Sequence, residues 1–130
     1  MPSTWSKVIL HVVVATKGRR DFITPGLRER LDPYIGGIIR DLGGTLYQAG
    51  GVEDHSHFLI RWGTDRSIGD LLRHVKSRSS KWVHQTFPES RRFAWQEGYG
   101  VFSVSESKVE EVRKYILKQE QHHKKQDFRA

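Results

Sequence analysis

Two histidines separated by one residue form the first pattern in the sequence that could carry chemistry. His55 and His57 begin an alternating segment, His-Ser-His-Phe-Leu-Ile-Arg-Trp, which is typical of a β-strand. Because side chains alternate along a strand, both imidazoles point to one face and can bind a single metal ion. The simpler interpretation is two surface or second-layer histidines that alternate by chance, and for this pair taken alone it is the favoured one.

A tyrosine and a glutamine near the end of the chain form the second pattern. Tyr115 and Gln119 are four residues apart in a predicted helix, which places them on one helical face. A phenol is a candidate nucleophile, and an amide oxygen is a candidate ligand for a hard cation. Alone, the pair is more often a packing residue beside a polar one. Its combination with the strand histidines is what indicates catalysis.

Composition limits the classes of protein that these residues could belong to. The chain has 130 residues, so we expect one domain, 1–130, with a flexible tail. The absence of cysteine excludes disulfides, cysteine-based metal sites and a thiol nucleophile. A net charge of +7 suits a polyanion such as nucleic acid. No segment resembles a signal peptide or approaches the roughly 20 apolar residues that span a bilayer, so we expect a cytoplasmic, nucleoid-associated protein.

Apolar periodicity and turn residues predict the order strand, helix, strand, strand, helix, strand, helix. The first six elements match ferredoxin-like folds. We expect an α+β sandwich: a four-stranded antiparallel sheet with two helices on one face, plus a C-terminal helix bearing the tyrosine. Pro33 predicts a kink or restart in the first helix. The predicted strands are 7–16, 45–52, 55–62 and 98–105, and the helices follow the caps Thr24, Ser67 and Ser107, the last running to about Lys124.

With these motifs in this order, the sequence resembles the single-tyrosine HUH transposases of small bacterial insertion sequences. The resemblance is to the insertion-sequence-200-like type, including relatives associated with repetitive extragenic palindromes, called REP sequences. It extends over almost the whole chain. The segments that carry it are 53–60 (Glu-Asp-His-Ser-His-Phe-Leu-Ile), 71–82, 95–105 and 115–123.

The resemblance implies a metal-dependent transesterase that cuts and rejoins single-stranded DNA at hairpins marking element ends. Tyr115 would attack the scissile phosphate and stay joined to its 5′ side, while His55, His57 and Gln119 would bind the metal. Because a free tyrosine titrates near pH 10, a divalent ion that polarises the phosphate would supply the missing activation. The ligand set favours Mg²⁺ or Mn²⁺, with Zn²⁺ as the competing ion.

The chain departs from the family pattern in two places. Ser56 stands between the histidines, where relatives have a large apolar residue. Since Ser56 should face the core, we expect weaker packing but unchanged ligand positions. Many relatives also continue beyond the His-His-Lys-Lys segment, so the contacts that release product and join subunits are less certain to be complete.

Basic residues provide candidate contacts to DNA phosphates, although charged surfaces often serve only solubility. Phe93 and Trp95, in the same predicted loop as Arg91 and Arg92, could stack on unpaired bases. For Trp95, packing in a small apolar core under the loop is at least as good an interpretation. The candidates are Arg19, Arg20, Arg73, Lys76, Arg78, Lys81, Arg91 and Arg92.

Three further histidines have two interpretations each. His11 either positions the active site or is a satisfied core residue, and the second is favoured. His122 or His123 could be a backup ligand, although a solvated helix end is favoured. By resemblance, the fourth strand pairs with its copy, giving a homodimer with composite active sites.

Two other functions compete with an active transposase. One is a non-catalytic module that binds single-stranded nucleic acid, which would have no use for the histidine, tyrosine and glutamine set. The other is a domesticated REP-associated relative that cuts chromosomal palindromes without moving itself.

Overall fold

Strand β1 (Val8–Ala15) lies inside the sheet because its valines and isoleucine offer apolar side chains to both faces. The computed structural model describes residues 4–119. The other strands are β2 (Thr45–Val52), β3 (His55–Trp62) and β4 (Gly100–Ser103). All neighbouring strands are antiparallel, in the order β2-β3-β1-β4. This is the α+β fold predicted from the sequence.

The three helices cover the two faces of the sheet unequally. Helices α1 (Pro25–Asp41) and α2 (Ile68–Thr86) pack over one face, where they bury Val12 and Phe58 in the main core. Helix α3 (Val109–Leu117) lies on the opposite face and places Ile116 against a smaller cluster. We call these the core face and the site face.

The first two helix caps are confirmed. The Thr24 hydroxyl oxygen accepts a hydrogen bond from the Leu27 N–H at 3.2 Å, and Ser67 Oγ accepts from the Asp70 N–H at 2.9 Å. Helix α1 runs through Pro33 as one element, so the chain does not restart there.

The third cap was predicted wrongly, because a short 3₁₀ turn at Glu106–Lys108 precedes the last helix. Lys108 therefore occupies the cap position, and no side chain caps α3. Helix α3 ends at Leu117, Lys118 forms a turn and Gln119 is helical again, while the rest of the predicted helix, with His122 and His123, lies outside the described residues. Strand β4 is also shorter than the predicted 98–105.

Helix α3 sits unusually close to β2 because the strand has a glycine beneath it. A Cβ atom added at Gly50 would lie 2.8 Å from the Ile116 carbonyl oxygen and 2.9 Å from its side chain. Only glycine leaves room for this close contact between β2 and α3. Tyr115 precedes Ile116 in the helix, so the contact also sets how far the Tyr115 backbone lies from the sheet.

Candidate functional site

The histidine pair lies on the site face, next to β1. His55 pairs with Ala15 and His57 with Val13 across the β1–β3 ladder. The two imidazole centroids are 5.0 Å apart, and His57 is buried. Ser56 points into the core with no exposed surface, as predicted, and its Oγ atom has no hydrogen-bond partner among the described residues.

A hydrogen bond at Nδ1 orients each of the two rings. His55 Nδ1 lies 2.7 Å from Asp54 Oδ1, and Arg19 Nε donates to the other oxygen of that carboxylate at 3.2 Å. Burial raises the pKa of Asp54, but the hydrogen bonds from His55 and Arg19 outweigh it and lower the pKa below its usual value. His57 Nδ1 shares a hydrogen bond of 2.9 Å with Nε2 of His11. Such contacts fix which ring nitrogen can bind a metal.

The second ring nitrogen of His57 is the best candidate for a metal-binding atom. Its Nε2 atom is buried, and no hydrogen bond of ordinary geometry reaches it within residues 4–119. Burial lowers the pKa of His57 to about 3, assisted by the charges of His55, His11 and Arg28, while the nearby Gln119 side chain offsets part of this shift. The ring is therefore neutral at neutral pH, which is the state that coordinates metals.

The tyrosine and the glutamine lie beside these rings in the same chain. The Tyr115 ring centroid is 5.9 Å from that of His57 and 6.0 Å from that of His11, nearly edge-on in both cases. Half of Tyr115 is exposed, as a nucleophile for a macromolecular substrate requires. Gln119 follows the end of α3, yet its side chain is buried and its Nε2 is 3.5 Å from the Tyr115 carbonyl oxygen.

The donor set fits a divalent cation only if the amide is included. No group of three or more His, Cys, Asp or Glu within residues 4–119 is placed to hold a metal ion. Two imidazoles of fixed orientation and a buried amide oxygen would supply one side of a coordination shell and leave positions for phosphate oxygens.

Two residues that orient the histidines were missed or misjudged from the sequence. His11 was favoured as a satisfied core histidine, but it contacts His57 and the Tyr115 ring. Asp54 appeared only as a member of the 53–60 segment, with no role of its own. Both follow from position once the strand order is known, because β1 neighbours β3 and Asp54 directly precedes His55.

The predicted DNA-contacting residues divide into two groups. In the first group each cation already has a partner within the chain. Arg19 bonds to Asp54, Arg73 to Asp70, Arg78 to Asp41 at 2.9 Å, and Lys76 to the Gln96 carbonyl at 2.8 Å. The second group is exposed and consists of Arg20, Lys81, Arg91 and Arg92.

The aromatic residues of the loop that carries Arg91 and Arg92 belong to the core. Phe93 is fully buried, which excludes stacking on DNA bases. Trp95 packs edge-on against Phe93 with centroids 5.0 Å apart, and its Nε1 donates to Ser79 Oγ at 3.0 Å. The core interpretation of Trp95 is therefore confirmed.

None of the helices within residues 4–119 combines the length and apolar character needed to cross a bilayer.

Comparison with known proteins places this geometry in context. The family model described as "Transposase IS200 like" matches residues 4–119. A crystal structure of a protein from Deinococcus radiodurans, provisionally named a transposase, superimposes with a TM-score of 0.73 at 22% identity, covering 92% of this chain and 95% of the other. A REP-associated tyrosine transposase bound to a REP hairpin superimposes with a TM-score of 0.67 at 13% identity, covering 95% and 73%. No curated protein sequence matches.

Proposed function

Because the chain belongs to the IS200-like transposase family, we propose that it is a metal-dependent transesterase acting on single-stranded DNA. It cleaves and rejoins strands at hairpin ends through a 5′-phosphotyrosine intermediate. The observation that carries this proposal is the position of the half-exposed Tyr115 ring, 5.9 Å from the ring of His57, whose Nε2 is buried without a partner among the described residues.

In the proposed reaction, the Tyr115 phenol oxygen attacks the scissile phosphorus. A phosphorus–oxygen bond to tyrosine forms while the bond to the 3′ oxygen breaks, and that oxygen takes up a proton to leave as a 3′-hydroxyl. The phenol proton passes to solvent. The tyrosine ester conserves the energy of the broken bond, so attack by another 3′-hydroxyl rejoins the strand without ATP.

His55, His57 and Gln119 would hold the divalent ion, which we propose to be Mg²⁺ or Mn²⁺. When bound, the ion supplies Lewis-acid stabilisation of charge on the phosphate oxygens. Asp54 and His11 orient the two proposed ligands: each binds an Nδ1 atom, so that Nε2 would be the metal-binding nitrogen of each ring. Gln119 also links the tail of α3 to Tyr115 and so couples ligand and nucleophile positions.

We propose that Tyr115 acts on the site of its own chain, which revises the expectation of composite sites. The short distance between Tyr115 and His57 within one chain supports this arrangement. Strand β4 is an edge strand, so a homodimer through its outer side remains compatible with the proposal. In such a dimer, each subunit would keep its own tyrosine.

The proposed substrate is single-stranded DNA that carries hairpins, supported by the REP hairpin in one structural relative. Arg20, Lys81, Arg91 and Arg92 are the preferred phosphate contacts because they are exposed and their charged groups form no ion pair or hydrogen bond among the described residues. Arg19, Arg73, Lys76 and Arg78 remain candidates that would have to change partners to bind DNA. Such a protein would work in the cytoplasm, near the nucleoid. A domesticated role on chromosomal palindromes would use the same chemistry.

A covalent-adduct assay tests the proposal. The chain is incubated with Mn²⁺ and labelled single strands containing the imperfect hairpins that flank its gene, and adducts are resolved on a denaturing gel. Tyr115→Phe should abolish the adduct and leave strand binding intact. Tyr34→Phe is the matched control, because Tyr34 stacks on Trp82 away from the histidines. Binding without any adduct in the wild-type chain would instead favour the non-catalytic module.

A further inference from the structure

A shallow apolar depression lies on the site face beside the histidine pair. Its volume is about 450 Å³, and it is lined by Val13, Ala15, residues 96–98, Tyr99, Gly100 and Phe102. We call it the aromatic depression.

The strand register places this depression directly next to the proposed metal ligands. Val13 and Ala15 in its floor are the cross-strand partners of His57 and His55. Phe102 is paired with His11, and their ring centroids are 6.2 Å apart. Directly paired residues of antiparallel strands share a face. The depression and the histidines are therefore parts of one continuous surface.

Two aromatic side chains are exposed along this surface. Phe102 is 60% exposed and Tyr99 is 44% exposed, and both line the same depression. Gly100 provides the space beside Phe102, because a Cβ atom added there would lie 3.3 Å from the phenylalanine ring. The ring can thus lie across the strand and present its face to a ligand.

The polar wall of the depression is held in place before any ligand arrives. Lys76 Nζ donates to the carbonyl oxygens of Gln96 and Gly98 and lies 5.9 Å from the Tyr99 ring centroid. The Gln96 N–H donates to the Ala15 carbonyl at 2.7 Å. A wall fixed in this way loses little conformational entropy on binding.

We propose that the aromatic depression binds the base of the unpaired nucleotide next to the scissile phosphate, stacked on Phe102. This inference rests on the proposed function and adds a base subsite to it. Every base has a π-face, so stacking suits a single strand of any sequence. The depression is mostly apolar, so the base lies toward Phe102 and the phosphate backbone lies toward the proposed metal ligands. A second copy of the chain would pair along the β4 edge, in the sheet plane, and not over this face.

Photocrosslinking locates the base. Hairpin strands carrying 5-iodouracil at each unpaired position in turn are irradiated with the full chain in EDTA, and the tryptic peptides are identified by mass spectrometry. Tyr99 and Phe102 lie together in one tryptic peptide, 93–108. We expect crosslinks in this peptide from one position beside the hairpin. Crosslinks confined to other peptides would overturn the proposal.

Affinity measurements test the stacking itself. Phe102→Ala should weaken strand binding about 5- to 150-fold, whereas Phe102→Trp should preserve it. An abasic nucleotide at the crosslinked position should weaken the wild-type chain equally and add nothing to Phe102→Ala. Trp5→Ala is the control, since Trp5 is an exposed aromatic outside the depression. Thermal unfolding checks that each variant is folded.

Oligomeric state and adduct formation separate the base subsite from a subunit contact and from the transesterase activity. If Phe102→Ala converts a dimer to a monomer without changing strand binding, the depression is a subunit contact and the proposal is wrong. If the base crosslinks at peptide 93–108 but no tyrosine adduct forms with Mn²⁺, the subsite stands and the proposed transesterase activity fails.

Discussion

The two faces of the sheet are buried to different degrees and are filled with different chemistry. On the core face, Val12, Phe58 and Ile60 belong to the main apolar cluster, together with side chains from α1 and α2. On the site face, the polar side chains of His57 and Gln119 are buried next to a half-exposed tyrosine. Burial of polar groups costs free energy unless partners satisfy them. We therefore expect the polar groups of the site face to lower the free energy of unfolding and the apolar core face to raise it.

Neighbouring residues of β3 separate the two faces most sharply. His57→Asn keeps a polar group near His11 but removes the Nε2 atom. We expect adduct formation with Mn²⁺ to fall more than about 10³-fold, because the Lewis acid contributes several kcal/mol to such reactions. The free energy of unfolding should hardly change. His74→Asn, on α2, is the control, and comparable activity in both variants would contradict the assignment of His57.

The next residue should behave in the opposite way. Phe58→Ala removes a fully buried ring from the core face, and we expect the free energy of unfolding to fall by about 3–5 kcal/mol. Urea denaturation measures the change. Where the variant still folds at low temperature, its Mn²⁺ affinity should match that of the wild type, and a parallel loss of metal binding would mean that the faces are not independent.

The hydrogen bond between His11 and His57 tests whether a residue that does not bind the metal still affects metal affinity. His11→Phe keeps a ring beside Tyr115 but deletes the hydrogen bond to His57 Nδ1. Loss of such a contact typically lowers metal affinity about 10- to 100-fold. Titration calorimetry with Mn²⁺ measures this affinity and does not depend on catalytic activity. An unchanged affinity would return His11 to the role of a packing residue.

The smallest expected effect concerns the one polar intrusion described on the core face of β3. Ser56 Oγ is buried with no hydrogen-bond partner among the described residues. Ser56→Ala should therefore stabilise the fold by about 1 kcal/mol in thermal or urea unfolding. Ser79→Ala is the control and should destabilise it, because Ser79 Oγ donates to the Val75 carbonyl and accepts from Trp95.

Local patterns predicted the site only where the chemistry was local. Strands β2 and β3 have the predicted bounds, because glycines precede β2 and follow β3 and a short polar turn separates the two strands. The role of His11 depends on strand order, and the partner of Arg78 is Asp41, 37 positions away. Neither relation is written in spacing along the chain. The predicted Ser107 cap failed because the 3₁₀ turn shifts the start of α3 past the serine.

The tyrosine and glutamine pair shows a success reached by a different route. The spacing of Tyr115 and Gln119 predicted one continuous helical face, but a turn at Lys118 interrupts the helix between them. Gln119 nevertheless turns inward, where it is buried beside the Tyr115 carbonyl. Local spacing identified the residues, while tertiary packing decides how they meet.

The need for glycine at position 50, under α3, has a consequence for how copies of the gene change over time. A methyl group at position 50 would collide with the Ile116 backbone and lift the adjacent phenol away from the imidazoles. If the chain has the proposed strand-cutting activity, selection should therefore preserve a bare Cα at this point. Decayed copies that are kept only as DNA-binding proteins could accept alanine or serine there, so position 50 can be read in genomes as a record of whether cutting is still required.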